Sequence, residues 1–124
     1  MDDEISVEEL KALIDEGEAV RLVDIRSRAA FERGHIPSSE NIPFAELPRR
    51  VEELDGADRV VTICPMGESS IQAARLIKSY EGAGEARVES LREGLQGWEY
   101  GFESGAGGEQ AEADGGSEGP DAPF

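Results

Sequence analysis

The chain is poor in the residues that staple small proteins or bind metals. Its 124 residues include one cysteine (Cys64), one histidine (His35), one tryptophan (Trp98) and two lysines (Lys11 and Lys78). A single cysteine excludes an internal disulfide, and nothing in the sequence calls for an oxidising compartment, so a cytoplasmic location is expected. One Cys and one His are too few for a usual zinc donor set, so no metal is expected. No apolar run is long enough to span a membrane as a helix. The opening Met1-Asp2-Asp3-Glu4 is acidic and lacks the apolar region of a signal peptide.

Positive charge is also scarce: 28 acidic residues stand against 12 basic ones, for a net charge of -16. Such a field repels nucleic acid and anionic lipid, so neither is an expected partner. Abundant Asp and Glu with so little Lys points to a salt-rich cytoplasm, where ions screen self-repulsion. An ordinary acidic protein with an acidic tail is the alternative. Residues 103–124 carry six acidic residues, six glycines and no basic residue. That segment has too little apolar surface to offset its ordering entropy and is expected to be a disordered, Gly-rich acidic tail. Residues 1–102 are expected to form one domain, itself acidic with 22 acidic against 12 basic residues.

Within that domain, helical and strand patterns alternate. Ser6 followed by Glu9 forms a capping box, Val7, Leu10, Leu13 and Ile14 recur at helical spacing, and Gly17 is the stop. Val20 to Arg26 reads as a buried strand, Ser27 to Arg33 as a short helix ended by Gly34, and Glu40-Asn41-Ile42 as a very short strand. Phe44 to Leu54 reads as a second short helix with Pro48 near its start. Val60 to Ile63 is apolar enough to be central in a parallel sheet. Ser69 to Tyr80 is helical, burying Ile71, Ala74, Leu76 and Ile77, and Gly82-Ala83-Gly84 breaks it. Ala86 to Leu91 is the last strand, and Glu93 to Trp98 a final helical piece that packs Leu95 and Trp98 on the body. Strands alternating with helices predict an α/β sandwich around a mainly parallel sheet. In such sheets ligands bind beyond the carboxyl ends of the strands.

Cys64 lies at such an end, in Cys64-Pro65-Met66-Gly67-Glu68-Ser69-Ser70. Converging backbone N–H groups and a helix N-terminus favour an anion there, and a thiolate so placed is a nucleophile. Pro65 fixes one φ, and Gly67 permits a positive φ or a close backbone approach. Ser69 and Ser70 can cap the following helix and donate O–H to a bound anion. A core cysteine in a tight connection is the competing reading.

This loop resembles the active-site loop of rhodanese-like sulfurtransferase domains. Leu22-Val23-Asp24-Ile25-Arg26 resembles the family strand ending in Asp-x-Arg. Phe31 to Pro37, followed by Asn41-Ile42-Pro43, resembles its Gly-His-Ile-Pro…Asn-Ile-Pro signature, and Val88 to Trp98 its closing Leu-x-Gly-Gly-x-x-x-Trp. The match runs from Ile5 to Tyr100, with four motifs in order. The resemblance implies a rhodanese-like three-layer sandwich with a central five-stranded sheet flanked by helices, and a persulfide on Cys64. Sulfur would come from a small donor or a persulfide-bearing protein and pass to a thiol acceptor, with no cofactor. Asp24 and Arg26 are read as supports that hold loops by hydrogen bonds, His35 as a structural turn residue and Trp98 as an anchor.

Four departures stand out. Ser69 occupies the place where thiosulfate-using members often carry Arg, and Glu68 adds a negative charge to the loop. Both work against a doubly anionic donor such as thiosulfate. Ser38-Ser39 replaces Gly-Ala, and Glu93 replaces the first of the paired glycines. A phosphatase of related fold would need a longer loop ending in Arg, whereas the first Arg after Cys64 is Arg75. A non-catalytic or sulfur-carrier module that binds a protein partner is the alternative to an enzyme. The oligomeric state has no signature in the sequence.

Overall fold

The computed structural model describes residues 3–80 and 86–104. Five strands form one sheet: β1 (Glu4–Ile5), β2 (Arg21–Asp24), β3 (Glu40–Asn41), β4 (Arg59–Ile63) and β5 (Arg87–Leu91), in the spatial order β1-β5-β4-β2-β3. All four pairings are parallel, and β4 is the middle strand. The helices are α1 (Val7–Asp15), α2 (Arg28–Arg33), α3 (Leu47–Arg50) and α4 (Ser69–Ser79).

Alternation along β4 divides the core into two layers. Val61 and Ile63 face one side, with Val7 and Leu10 of α1, Leu91 and Trp98. Val60 and Cys64 face the other, with Leu47 of α3 and Ala73, Ala74 and Ile77 of α4. The period of two thus places Cys64 on the α4 face of the sheet.

The local devices at α1 form as the sequence predicts. Ser6 Oγ accepts from the Glu9 N–H at 3.1 Å and Glu9 Oε1 accepts from the Ser6 N–H at 3.0 Å. Gly17 follows the helix with φ of +76°. The expected helix over Phe44–Leu54 is instead three pieces: a 3-10 turn at Phe44–Glu46, α3, and a 3-10 turn at Val51–Leu54. Pro48 has no N–H to donate, which breaks the ladder at the start of the α-helical part. On α4 the buried face is Ser70, Ala73, Ala74 and Ile77. Ile71 and Leu76, expected in the core, are only half-buried. The expected break at Gly82-Ala83-Gly84 lies outside the described residues, as does the expected tail from residue 105 onward. Glu103, expected at the start of that tail, pairs with His35 in an isolated antiparallel bridge, each N–H donating to the other's carbonyl at 2.8 Å.

Candidate active site

Cys64 is the first residue past β4, with a side chain almost fully buried. Its Sγ accepts the Gly67 N–H at 3.1 Å and the Ser70 N–H at 3.3 Å. Sγ also lies 3.4 Å from Ser70 Oγ. Two backbone donors on one sulfur form a small nest that strengthens as negative charge gathers there. The nest lies at the N-terminus of α4, whose dipole acts in the same direction.

The loop holds this shape because a second turn is pressed against it. A Cβ on Gly67, which has φ of +83°, would lie 2.2 Å from the Arg92 carbonyl oxygen. A Cβ on Gly94, at φ of +67°, would lie within 2.7 Å of three backbone atoms of Cys64, Pro65 and Gly67. The Leu95 N–H donates to the Cys64 carbonyl at 2.9 Å and the Gln96 N–H to that of Pro65 at 3.0 Å. The two turns are thus stitched by backbone bonds at a distance that only glycine tolerates. Glu93 stands beside Gly94 with an ordinary φ of -85°, so this departure from the family pattern needs no glycine. Its carboxylate instead accepts the Val7 N–H at 3.1 Å and so caps α1 from outside.

Of the other predicted loop residues, Pro65, Met66, Glu68 and Ser69 are exposed and only Ser70 turns inward. The expectation that Ser69 and Ser70 cap α4 is not met. Glu68 is the N-cap residue and no side chain caps it. The Ser70 hydroxyl is instead drawn between Cys64 and Ser90, whose Oγ is 2.6 Å away. Ser90 is fully buried on β5, and sequence reasoning missed it. It lies on the same sheet face as Cys64, a relation visible in the two-residue period of β5 once the strand order is known. Thr62 completes the support, donating to the Ser70 carbonyl at 2.7 Å.

Asp24 and Arg26 form a tight pair. Asp24 is fully buried at the end of β2 and accepts from Arg26 N at 3.0 Å, Nε at 2.9 Å and Nη2 at 2.7 Å. Nη2 of Arg26 also donates to the Gly34 carbonyl at 2.7 Å. Among the described residues neither side chain is hydrogen-bonded to residues 64–70. His35 is fully buried, stacked on Phe31 at 3.8 Å between ring centroids, and its Nδ1–H donates to the Phe31 carbonyl at 2.7 Å. No group of three or more candidate metal ligands occurs among the described residues.

Arg33, which the sequence offers only as a helix-end residue, lines a cleft of about 440 Å³ with Arg26, Ala30, Gly34, Leu95 and Phe102. Leu95 also donates its N–H to the Cys64 carbonyl, but no residue of 64–70 lines the cleft, and Leu95 packs on the Val61 and Ile63 side of the sheet, opposite the α4 face that holds Cys64.

Together these features define an α/β protein that holds a single thiol in a backbone nest at the carboxyl edge of a parallel sheet. The chain belongs to the rhodanese-like domain family, whose profile matches residues 6–100. A sulfurtransferase of Allochromatium vinosum is 35% identical over 98 residues, spanning 79% of this chain and 89% of that protein. YrkF of Bacillus subtilis, named as a candidate sulfur carrier protein, is 34% identical over 95 residues, spanning 77% of this chain but only half of that protein. The human single-domain sulfurtransferase TSTD1 superposes with a TM-score of 0.67 at 27% identity, over 79% of this chain and 96% of that one.

Proposed function

We propose that this protein is a sulfurtransferase that moves sulfane sulfur through a persulfide on Cys64. The observation that carries the reading is the pair of backbone N–H groups, from Gly67 and Ser70, donating to Sγ at the N-terminus of α4. The thiolate attacks the outer sulfur of a donor, and the donor remnant leaves with the electron pair of the broken bond. Cys64 then carries the transferred sulfur, and the nest offsets negative charge on it. An acceptor thiolate attacks that sulfur and returns Cys64 to the thiolate, closing a ping-pong cycle. No cofactor enters this scheme, and a reducing cytoplasm suits the free thiol.

The donor is read as a persulfide in preference to thiosulfate. The loop has Glu68 and Ser69 exposed and no cation of its own, and Arg26 is held by Asp24. A dianion approaching Sγ meets a carboxylate with nothing in the loop to neutralise it. The same charge pattern favours a second reading, a sulfur-carrier module loaded only by a partner protein; the carrier name of the Bacillus subtilis relative agrees with it.

Intact mass spectrometry separates these readings. The full chain is mixed with thiosulfate, with a small persulfide and with a persulfide-bearing protein. One added sulfur atom from the small persulfide, absent in Cys64→Ser, is the expected result. No adduct from any of the three sinks sulfur transfer, and loading by the protein persulfide alone establishes the carrier.

A further inference from the structure

We infer that Ser90 is a positioning residue for Cys64: its buried hydroxyl turns the Ser70 O–H toward Sγ, so that the sulfur gains a third hydrogen-bond donor when it carries negative charge. This rests on the sulfur-transfer reading and adds to it a residue outside the cysteine loop.

The Ser90 side chain has a single polar partner. Ser70 Oγ lies 2.6 Å from Ser90 Oγ, and among the described residues the Ser90 hydroxyl meets no other donor or acceptor. Both serines are fully buried. A buried O–H without an acceptor is costly, so Ser90 spends its proton on Ser70 Oγ. The Ser70 proton then has one acceptor left in reach, Cys64 Sγ at 3.4 Å. That contact admits a bond in either direction: a thiol S–H donates to Ser70 Oγ, and a thiolate accepts the Ser70 O–H. Ser90 decides between them, because a Ser70 O–H not aimed at the sulfur would have no acceptor. Without Ser90, Ser70 is free to serve the thiol form or to turn away.

Both hydroxyls are mounted on fixed backbone. Ser90 lies in β5, opposite Glu4 of β1 on one side and Thr62 of β4 on the other. Its N–H donates to the Asp3 carbonyl at 3.0 Å. Ser70 is the second residue of α4, and its carbonyl is tied to Thr62 Oγ1 at 2.7 Å. The sheet thus sets where the Ser90 hydroxyl stands and how far it is from Ser70. Its surroundings do not otherwise call for a hydroxyl. Val88, two residues earlier on the same face of β5, belongs to the apolar cluster of Cys64, Ala73 and Ala74. An alanine at 90 would continue that wall with no polar group to satisfy, so the one bond the hydroxyl makes is where its effect is felt.

The effect falls on both half-reactions. In loading, the Cys64 thiolate attacks the outer sulfur of the donor. In discharge, an acceptor thiolate RS⁻ attacks the outer sulfur of Cys64–S–SH. The S–S bond to Cys64 breaks, its electron pair returns to Sγ, and RS–SH departs with the proton still on the outer sulfur. At the start of one step and the end of the other the charge is on Sγ, where the Gly67 N–H, the Ser70 N–H and the Ser70 O–H meet it. The two N–H groups belong to the backbone and need no particular side chain. The third donor depends on Ser70, and its direction on Ser90. A donation from Ser90 also polarises the Ser70 O–H and strengthens its bond to an anion.

The test exploits the single cysteine. The full chain is titrated with pH, and the thiolate is read from its ultraviolet absorbance, each variant corrected by its own Cys64→Ser counterpart. Ser70→Ala is expected to lower the thiolate-to-thiol ratio at a given pH by about tenfold, and Ser90→Ala by about threefold. In the Ser70→Ala background, Ser90→Ala is expected to change nothing further, since it acts through the Ser70 hydroxyl. Ser90→Thr keeps the hydroxyl and is expected to hold the wild-type ratio. Glu68, Arg92 and the Arg59–Glu89 pair are the same in every variant, so their fields cancel in the comparison. A ratio unmoved by Ser90→Ala, a fall just as large when Ser70 is already Ala, or a Ser90→Thr ratio as low as that of Ser90→Ala overturns the inference. A second arm preloads Cys64 with a small persulfide and follows discharge to a small thiol by intact mass. Discharge is expected to slow about threefold in Ser90→Ala, and discharge at the wild-type rate counts against the role. A wild-type chain that never loads sinks the sulfur-transfer reading alone, and the titration still decides for or against Ser90.

Discussion

Ser70 directs every polar group it has toward the sulfur or its frame. Its N–H and hydroxyl face Cys64 Sγ, the hydroxyl also meets Ser90, and its carbonyl accepts from Thr62. The two residues just before it do the opposite: Glu68 and Ser69 are exposed and set the field that an incoming donor meets. Ser69→Arg puts a guanidinium there, and thiosulfate-driven loading of Cys64 is expected to rise by roughly tenfold. An unchanged or lower rate by stopped-time mass analysis would refute the charge argument. Gly94, like Gly67, sits where the two turns approach too closely for a side chain. Gly94→Ala forces backbone apart where a Cβ meets Pro65 O at 2.5 Å, and the strain of positive φ adds to the clash. A loss of about 2–4 kcal/mol in urea unfolding, with slowed persulfide formation, is expected. Ser38 reverses the logic. It is the one non-glycine residue at positive φ (+75°) among those described. Ser38→Gly is expected to raise stability by about 0.5–1 kcal/mol, because the left-handed backbone costs a side chain more than the added chain entropy of glycine. A lower denaturation midpoint would show that Ser38 makes compensating contacts.

At the level of elements, the α4 face of the sheet shows what the sequence can and cannot reveal. The strand β4, the cap of α1 and the strand–loop–helix order around Cys64 follow from local rules: apolar runs, capping boxes and glycine stops. Those rules involve neighbours in sequence, so one chain suffices to apply them. The Ser70–Ser90 contact joins α4 to β5, and the Arg33–Leu95–Phe102 cleft joins three distant segments, so neither has a local signal. The broken helix at Phe44–Leu54 was partly legible, since Pro48 was visible, but the choice of 3-10 over α-helical turns depends on how Leu47, Val51 and Leu54 seat in the core. The β4–β5 pair carries another feature hidden from local reasoning. Glu89, buried on β5, is held by Arg59 of β4 through Nε at 2.9 Å and Nη2 at 3.1 Å. Arg87 approaches the same carboxylate at 3.4 Å but is largely exposed. Arg59→Ala leaves a buried carboxylate with only this loose partner, and a loss of about 2–3 kcal/mol is expected. The double variant Arg59→Ala with Glu89→Gln is expected to recover part of it, since no charge is then stranded. Equal stability of the two variants in chemical denaturation would show that the pair contributes little.

For the whole molecule the dominant quantity is net charge. Several of its ion pairs are exposed, such as Lys11–Asp15 and Lys78–Asp3, and each contributes little and is weakened by salt. Opposing them is the repulsion of 28 acidic side chains with 12 basic ones to offset them. Screening acts on both terms, but with a net charge of -16 the long-range balance is repulsive, so added salt should favour the folded state. The melting temperature is therefore expected to rise by several degrees between 0.1 and ~2 M KCl. Potassium chloride is the informative salt, because sulfate strengthens apolar burial in any protein and would raise the midpoint without testing charge. A parallel series in sucrose separates general stabilisation from screening. The sharper comparison is a variant in which exposed Glu8, Glu16, Glu18 and Glu52, none of them in an ion pair among the described residues, become Gln. If self-repulsion is the term being screened, this variant starts with a higher midpoint at 0.1 M KCl and gains less from added salt. A wild-type midpoint indifferent to KCl, or a variant with the same salt slope, would leave the acidic surface without a halophilic role.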